Sequence, residues 1–293
     1  MYYSIDPRHT QQVHRFNQNG KYLNSIGSYG RGPNEYIYLT DVMVDHHGNI
    51  GIYSVGTGVL LTYSPEGLFL ERIELPYSPE RFASLNGFHY HYMGMVGSGM
   101  DYRLYVTDNS GQTVGTFIPS PAAPAVPNAQ TFSLSGSTLN LCPAEGNDIY
   151  HLNDGKMEVA YNFDFGAHNI PDEYYTCSGY SELLDFLVKG LALKQVFYEN
   201  RHCAILGVSM DTDKESRFIY GILNRQKNVW RWFNWNEDDF FLQYLDNEYA
   251  YFTASPEEMK QIPGMTERFP LLNRLTDNDD MVILKCKTAT INL

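Results

Sequence analysis

The turns of this chain recur at a nearly constant interval, and that interval restricts the folds open to it. Short clusters bearing Gly or Asn stand at NQNG (17–20), SPEG (64–67), DNSG (108–111) and LNDG (152–155), with starts 47, 44 and 44 residues apart. A fifth, NRQKN (224–228), follows after about 70 residues. Each separates two strand-like runs, as VHRF and KYLNSI, or RLYVT and QTVGTF. These read as β-hairpins, because positive φ is least costly for Gly and Asn. A second series, HHGN (46–49), LNG (85–87), SGS (135–137), YENR (198–201) and LDNE (245–248), marks a further strand pair in each repeat.

Four strands per unit of about 45 residues is the period of a propeller blade. Units fall at 1–27, 38–76, 80–119, 130–165 and 191–234, with a last one from 240 to 287. The expectation is an all-β, six-bladed β-propeller of four-stranded antiparallel blades with short helical insertions, as a single domain over 1–293. A content of 43% apolar residues, with 23 Tyr and 16 Phe, suits a strand-built core. An insertion over 167–190 ends in SELLDFLVKG, where Ser181 reads as a helix N-cap, Lys189 as part of the last turn and Gly190 as the stop. SPEEMKQIPG (255–264) reads as a second short helix, and proline-rich PSPAAPAVPN (119–128) as an extended loop. The first unit lacks an innermost strand. Either the C-terminal TATINL fills that place or the natural product starts upstream of Met1, and the second is expected.

A formal charge of −13 disfavours nucleic acid and anionic membrane surfaces as partners and suits solubility. Cys142, Cys177, Cys203 and Cys286 form no CxxC pair, which excludes the common zinc-ribbon and thioredoxin signatures and favours free thiols. There is no apolar run of transmembrane length, and MYYSIDPRHT carries no signal-peptide pattern.

The segment FNQNGKYLNSIGSYGRGPNEY (16–36), followed by TDVMVD, resembles a signature of the six-bladed β-propeller lipoproteins of Bacteroides-type bacteria, a group akin to NHL/TolB-like propellers of unknown function. DFGAHNIPDEYY (164–175) looks like a second motif of that family. The resemblance implies a secreted, lipid-anchored protein of the cell envelope. It carries no established catalytic residue to transfer, and this chain shows neither the signal nor the acylated cysteine.

GSYGRGPNEY (27–36) lacks the GK[ST] and following helix of a phosphate-binding loop, so Gly30, Gly32 and Pro33 read as a sharp corner. Arg31 and Glu35 there could pair with each other or with neighbouring blades, and Arg31, Glu35 and Tyr36 are candidate ligand-binding rim residues. In FHYHY (88–92), His89 and His91 share one strand face and could hold a metal with a third ligand, although an aromatic strand with one polar side is the favoured reading. Trp230 and Trp232 share a face of WRWFNW (230–235), as a stacking platform for sugar rings or as packing between blades. HisHis (46–47) reads as a solvated turn, and DTDKE (211–215) fails the EF-hand pattern at Ser216 and Ile222. NEDD (236–239) and DNDD (277–280) read as solvated loops.

No GxSxG, HExxH or cysteine-nucleophile context occurs. The expectation is therefore a non-enzymatic propeller binding a glycan, peptide or protein at one mouth, with no catalytic residue, cofactor or fixed metal site. The alternative is a lactonase-like or NHL-type hydrolase or lyase with a divalent cation in the central channel.

Overall fold

The computed structural model describes residues 1–6, 11–45, 47–54, 58–94, 100–123, 125–177, 179–235, 241–276 and 282–290. Its strands form six antiparallel meanders in which sequence neighbours pair. The first joins β1 (Tyr2–Asp6), β2 (Gln12–Phe16) and β3 (Tyr22–Ile26). The second joins β4 (Leu39–Val44), β5 (Ile50–Ser54), β6 (Val59–Tyr63) and β7 (Phe69–Glu74). The third joins β8 (Arg81–Leu85), β9 (Phe88–Tyr92), β10 (Tyr102–Asp108) and β11 (Thr113–Pro119). The fourth joins β12 (Phe132–Ser135), β13 (Thr138–Leu141), β14 (Asp148–Asn153) and β15 (Lys156–Asn162). The fifth joins β16 (Leu193–Glu199), β17 (Cys203–Asp211), β18 (Ser216–Asn224) and β19 (Val229–Trp235). The last joins β20 (Phe241–Leu245), β21 (Tyr249–Ala254) and β22 (Val282–Lys287).

These are the blades of a six-bladed β-propeller, and they coincide with the units read from the turns. Four blades have four strands; the first and last have three among the described residues. The chain divides into two compact units, one of residues 1–125 with 152–157 and the other of 126–151 with 158–293.

Local chemistry accounts for the hairpins. The two-residue turn between β8 and β9 places Asn86 and Gly87 at φ 52° and 82°, a geometry that matches the twist of the paired strands. Between strands, alternation sends side chains into two cores. Val13, Ile26, Ile50, Ile52 and Leu61 pack together between the first two sheets of the first unit. In the second unit Phe197, Ala204, Leu206 and Val208 enter a core with Ile149 and Phe163, while their neighbours Val196, Tyr198 and Ile205 enter another with Leu242 and Leu245.

The insertion carries helix α1 (Tyr180–Leu187), but its N-cap is Gly179, so Ser181 lies inside the first turn and caps nothing. The helix stops at Leu187, two residues earlier than Lys189 suggested, and Lys189 sits over the Phe186 ring at 3.8 Å. Helix α2 (Pro256–Gln261) follows the sequence more closely. Ser255 accepts from the Glu258 N–H while Glu258 accepts from the Ser255 N–H, a complete capping box. No helix among the described residues is long and apolar enough to cross a membrane. TATINL and the DNDD and NEDD runs lie wholly or partly outside the described residues, as does His46.

Gly221 in the fifth blade permits a close approach. A Cβ on Gly221 would lie 2.6, 2.7 and 2.8 Å from carbons of the Trp232 ring. Gly221→Ala should cost about 1–3 kcal/mol in urea unfolding, and adding Trp232→Leu should return most of that loss; an undiminished penalty in the double variant would refute ring overlap as its cause.

Candidate functional site

The opening corner is held by its own backbone and by Glu35. The Glu35 carboxylate accepts from the Gly32 N–H at 2.7 Å rather than pairing with Arg31. It lies so near the chain that a Cβ on Gly30 would stand 1.9 Å from its Oε2, so a larger residue there would displace the carboxylate. Gly30 N–H donates to Tyr36 O, and Tyr36 N–H donates to Ser28 O. Tyr36 is a correction to the rim reading. It has no exposed surface, belongs to the core between the first two blades, and donates its hydroxyl to Gln11 O at 2.5 Å. Burial, with Tyr63 nearby, raises its phenol above the ordinary value. Arg31 is exposed.

His89 and His91 do share a face, and they spend it on packing. His89 stacks on Phe82 with centroids 5.8 Å apart, and His91 meets the same ring edge-on at 5.4 Å. His89 Nδ1 bonds Ser84 Oγ at 2.6 Å, and His91 Nε2 bonds Thr107 Oγ1 at 2.9 Å. With 6% and 0% exposure, they too sit in the interior rather than at a rim. Burial lowers both pKa values, that of His91 to about 3, so both rings are neutral at pH 7. Among the described residues no group of three His, Cys, Asp or Glu side chains could hold a metal ion. DTDKE forms the turn from β17 to β18, closed by Thr212 and Glu215 backbone groups.

Trp230 and Trp232 stack on each other at 5.9 Å, and Phe163 meets both edge-on. Packing between the fourth and fifth blades is thus real, yet Trp232 keeps 45% of its surface exposed.

Sequence reasoning missed the strongest polar cluster. Glu199, at the end of β16, is 5% exposed. Its Oε1 accepts from His151 Nε2 at 2.8 Å and its Oε2 from the Tyr161 hydroxyl at 2.7 Å. Arg225 Nη2 donates to the same Oε2 and to Tyr161 Oη. A buried carboxylate persists only when paired and hydrogen-bonded in this way. Burial first, then the adjacent carboxylate, raises the Tyr161 phenol, against the pull of Arg225. The signal in the sequence was a glutamate closing the apolar strand LKQVFYE, four residues before another buried run.

Arg225, held from behind by Glu199, lines a 240 Å³ pocket with Arg201, His202, Cys203, Gln226 and Thr288. Asn200 builds this pocket. Its Oδ1 accepts from the His202 and Cys203 N–H groups at 2.8 and 2.9 Å, and its Nδ2 donates to Asp246 O at 2.7 Å and Thr288 Oγ1 at 3.2 Å. The Arg225 N–H donates to His202 O at 3.0 Å, tying the β18–β19 turn to the β16–β17 turn. Burial pushes the Cys203 thiol up to about 11, so it stays protonated at pH 7. Of the donors in this lining, Arg225 is held by Glu199 and Tyr161, whereas the Arg201 side chain is largely exposed.

A family model matches residues 1–287 and is described as a domain of unknown function, DUF4934. The chain belongs to the DUF4934 family. Among solved structures it is similar to a Bacteroides fragilis protein designated an exported protein, with TM-score 0.76 and 18% identity over 96% of this chain and 85% of the other. It is also similar to a DUF4221 family member from Bacteroides vulgatus, with TM-score 0.60 and 11% identity over 96% of this chain and 86% of that one. At these identities the likeness concerns fold. No curated protein matches the chain.

Two outcomes follow. Between its folded pKa of about 3 and the unfolded value of 6.5, His91 takes up a proton only when the chain unfolds, so stability falls as pH drops through that window. From pH 7 to pH 5 this amounts to about 2 kcal/mol. Asp41, whose carboxyl burial raises to about 6, contributes the opposite slope, so the wild type alone masks the effect. The difference in unfolding free energy between wild type and His91→Asn should shrink by that amount from pH 7 to pH 5; a constant difference would contradict a neutral buried ring. Separately, Asn200→Leu should cost about 1–3 kcal/mol for each N–H left unpaired, read from the urea midpoint; an unchanged midpoint would remove Asn200 as the pocket's support.

Proposed function

We propose that this chain is a non-enzymatic binding or scaffold propeller of the bacterial cell envelope, recognising a glycan, peptide or protein segment. The observation that carries this reading is the pocket beside Arg225, where the β16–β17 and β18–β19 turns bring Arg201, Arg225 and Gln226 to one accessible surface. Concave sites with a few fixed polar groups are the usual form of ligand sites. The exposed face of Trp232 supplies a further contact for a sugar or aromatic ring, and exposed Arg31 an outlying one. The exported designation of the Bacteroides fragilis relative and the family resemblance of the 16–36 segment support an envelope location, with lipid anchoring as in NHL/TolB-like propeller lipoproteins.

Thermal melts with envelope oligosaccharides and peptides test this reading, with divalent cations and EDTA as separate arms. A ligand at 100 times its Kd adds about 2.7 kcal/mol, a shift of about 4 °C for a chain of this length. The expected result is a shift with one ligand class that Ala289→Trp, an exposed position lining the pocket, abolishes. A shift with calcium or zinc that EDTA reverses would overturn the reading in favour of channel-metal hydrolysis or elimination.

A further inference from the structure

We infer that the pocket beside Arg225 binds the carboxylate of a residue-sized monoanion, a sugar acid or an amino-acid C-terminus; this rests on the binding reading above. The argument begins with the two arginines. Hydrogen bonds engage only Nη2 of Arg225, through Glu199 and Tyr161, which leaves its Nε–H and its Nη1 hydrogens without partners among the described residues. Arg201 donates from Nε to His202 Nε2 at 2.9 Å, and its Nη2 lies 3.6 Å from an exposed Glu248 oxygen. Its Nη1 group has no partner among the described residues, nor has the Gln226 amide. Arg201, Arg225 and Gln226 all line one pocket of 240 Å³, room for a single sugar or amino-acid residue.

Guanidinium is suited to this ligand. Its planar, permanently charged donors make strong charge-assisted bonds to carboxylate oxygens, and the Nη1 groups of both arginines are left for such a ligand. The guanidinium of Arg225 is oriented in advance, because Glu199, 5% exposed, and Tyr161 hold its Nη2 group. Less ordering is then left for binding to impose.

Charge selects a monoanion over a phosphate. The two guanidinium charges are each matched by a carboxylate outside the pocket lining, Glu199 for Arg225 and Glu248 for Arg201. A dianion would enter a neighbourhood without surplus positive charge, on a chain whose formal charge is −13. A single carboxylate can satisfy the free donors at lower electrostatic cost. The Cys203 thiol, protonated at pH 7, adds no competing negative charge.

Titration calorimetry at physiological ionic strength tests the inference on the full chain with paired probes. One arm compares galacturonate with its neutral methyl ester, and the other compares N-acetylalanine with its amide. The acid of at least one pair should bind ten or more times tighter than its neutral partner, and the arm that responds identifies the source. Arg201→Gln should weaken that acid at least tenfold while leaving the urea midpoint unchanged, since Arg201 makes only exposed pairings. Arg225→Lys should weaken that acid likewise, by removing the free Nε–H and Nη1 donors while keeping a cation beside Glu199. Equal binding of acid and neutral partner, no binding of either acid, or full affinity in Arg201→Gln would overturn the inference. If the melt panel still gives a shift that Ala289→Trp abolishes, the binding reading survives that result; a flat panel removes both.

Discussion

Everything in this molecule depends on strands that are buried on both faces. Antiparallel sheets commonly keep one face wet, but here all five residues of β5 are buried, as are the first seven of β17. Such a strand must place every backbone N–H and C=O in the ladder, and it must divide its side chains between two cores. In β17, Cys203 and Ile205 enter one core while Ala204, Leu206 and Val208 enter the other. At about 1.5–3 kcal/mol for each large apolar side chain fully buried, both cores contribute substantially, and a one-residue slip would exchange them. The outermost strands are relieved of this demand, as the largely exposed patterns of β7, β11 and β15 show.

The same constraint pushes polar chemistry to the strand ends. Glu199, at the last position of β16, reaches Arg225 in a turn and His151 and Tyr161 on the preceding blade. Asn200 follows at once and fixes the turn geometry. Rigid strands thereby hold loop donors in place, the general arrangement by which scaffolds present binding groups. The histidines of β9 show the converse. Placed inside a strand, they are enclosed by Phe82, Ser84 and Thr107 and serve the interior.

Similarity to the Bacteroides fragilis structure at 18% identity and TM-score 0.76 is understandable in these terms. Two-core alternation requires apolar residues of suitable volume at alternate positions, and many sequences satisfy that. A pocket depends on individual residues and need not persist with the fold, so fold likeness carries no function by itself.

The sequence by itself determined the strands and their grouping into blades, because those signals are local. Period-two alternation and residues tolerant of positive φ, such as Asn86 and Gly87, act within a few positions of the chain. The capping box of Ser255 and Glu258 was legible for the same reason. Ser181 misled because a capping side chain is recognised only relative to a helix start, and the N-cap here is Gly179. Tyr36, His89 and His91 could not be separated from surface residues by type, since burial is a property of what packs against them. The Glu199 cluster was least visible. Residues 151, 161, 199 and 225 meet only after two blades pack, and Thr288 joins the pocket from a third. No local pattern encodes such a convergence, because burial and pairing arise from segments distant in the chain; the tertiary structure alone decided where charge could be held without water.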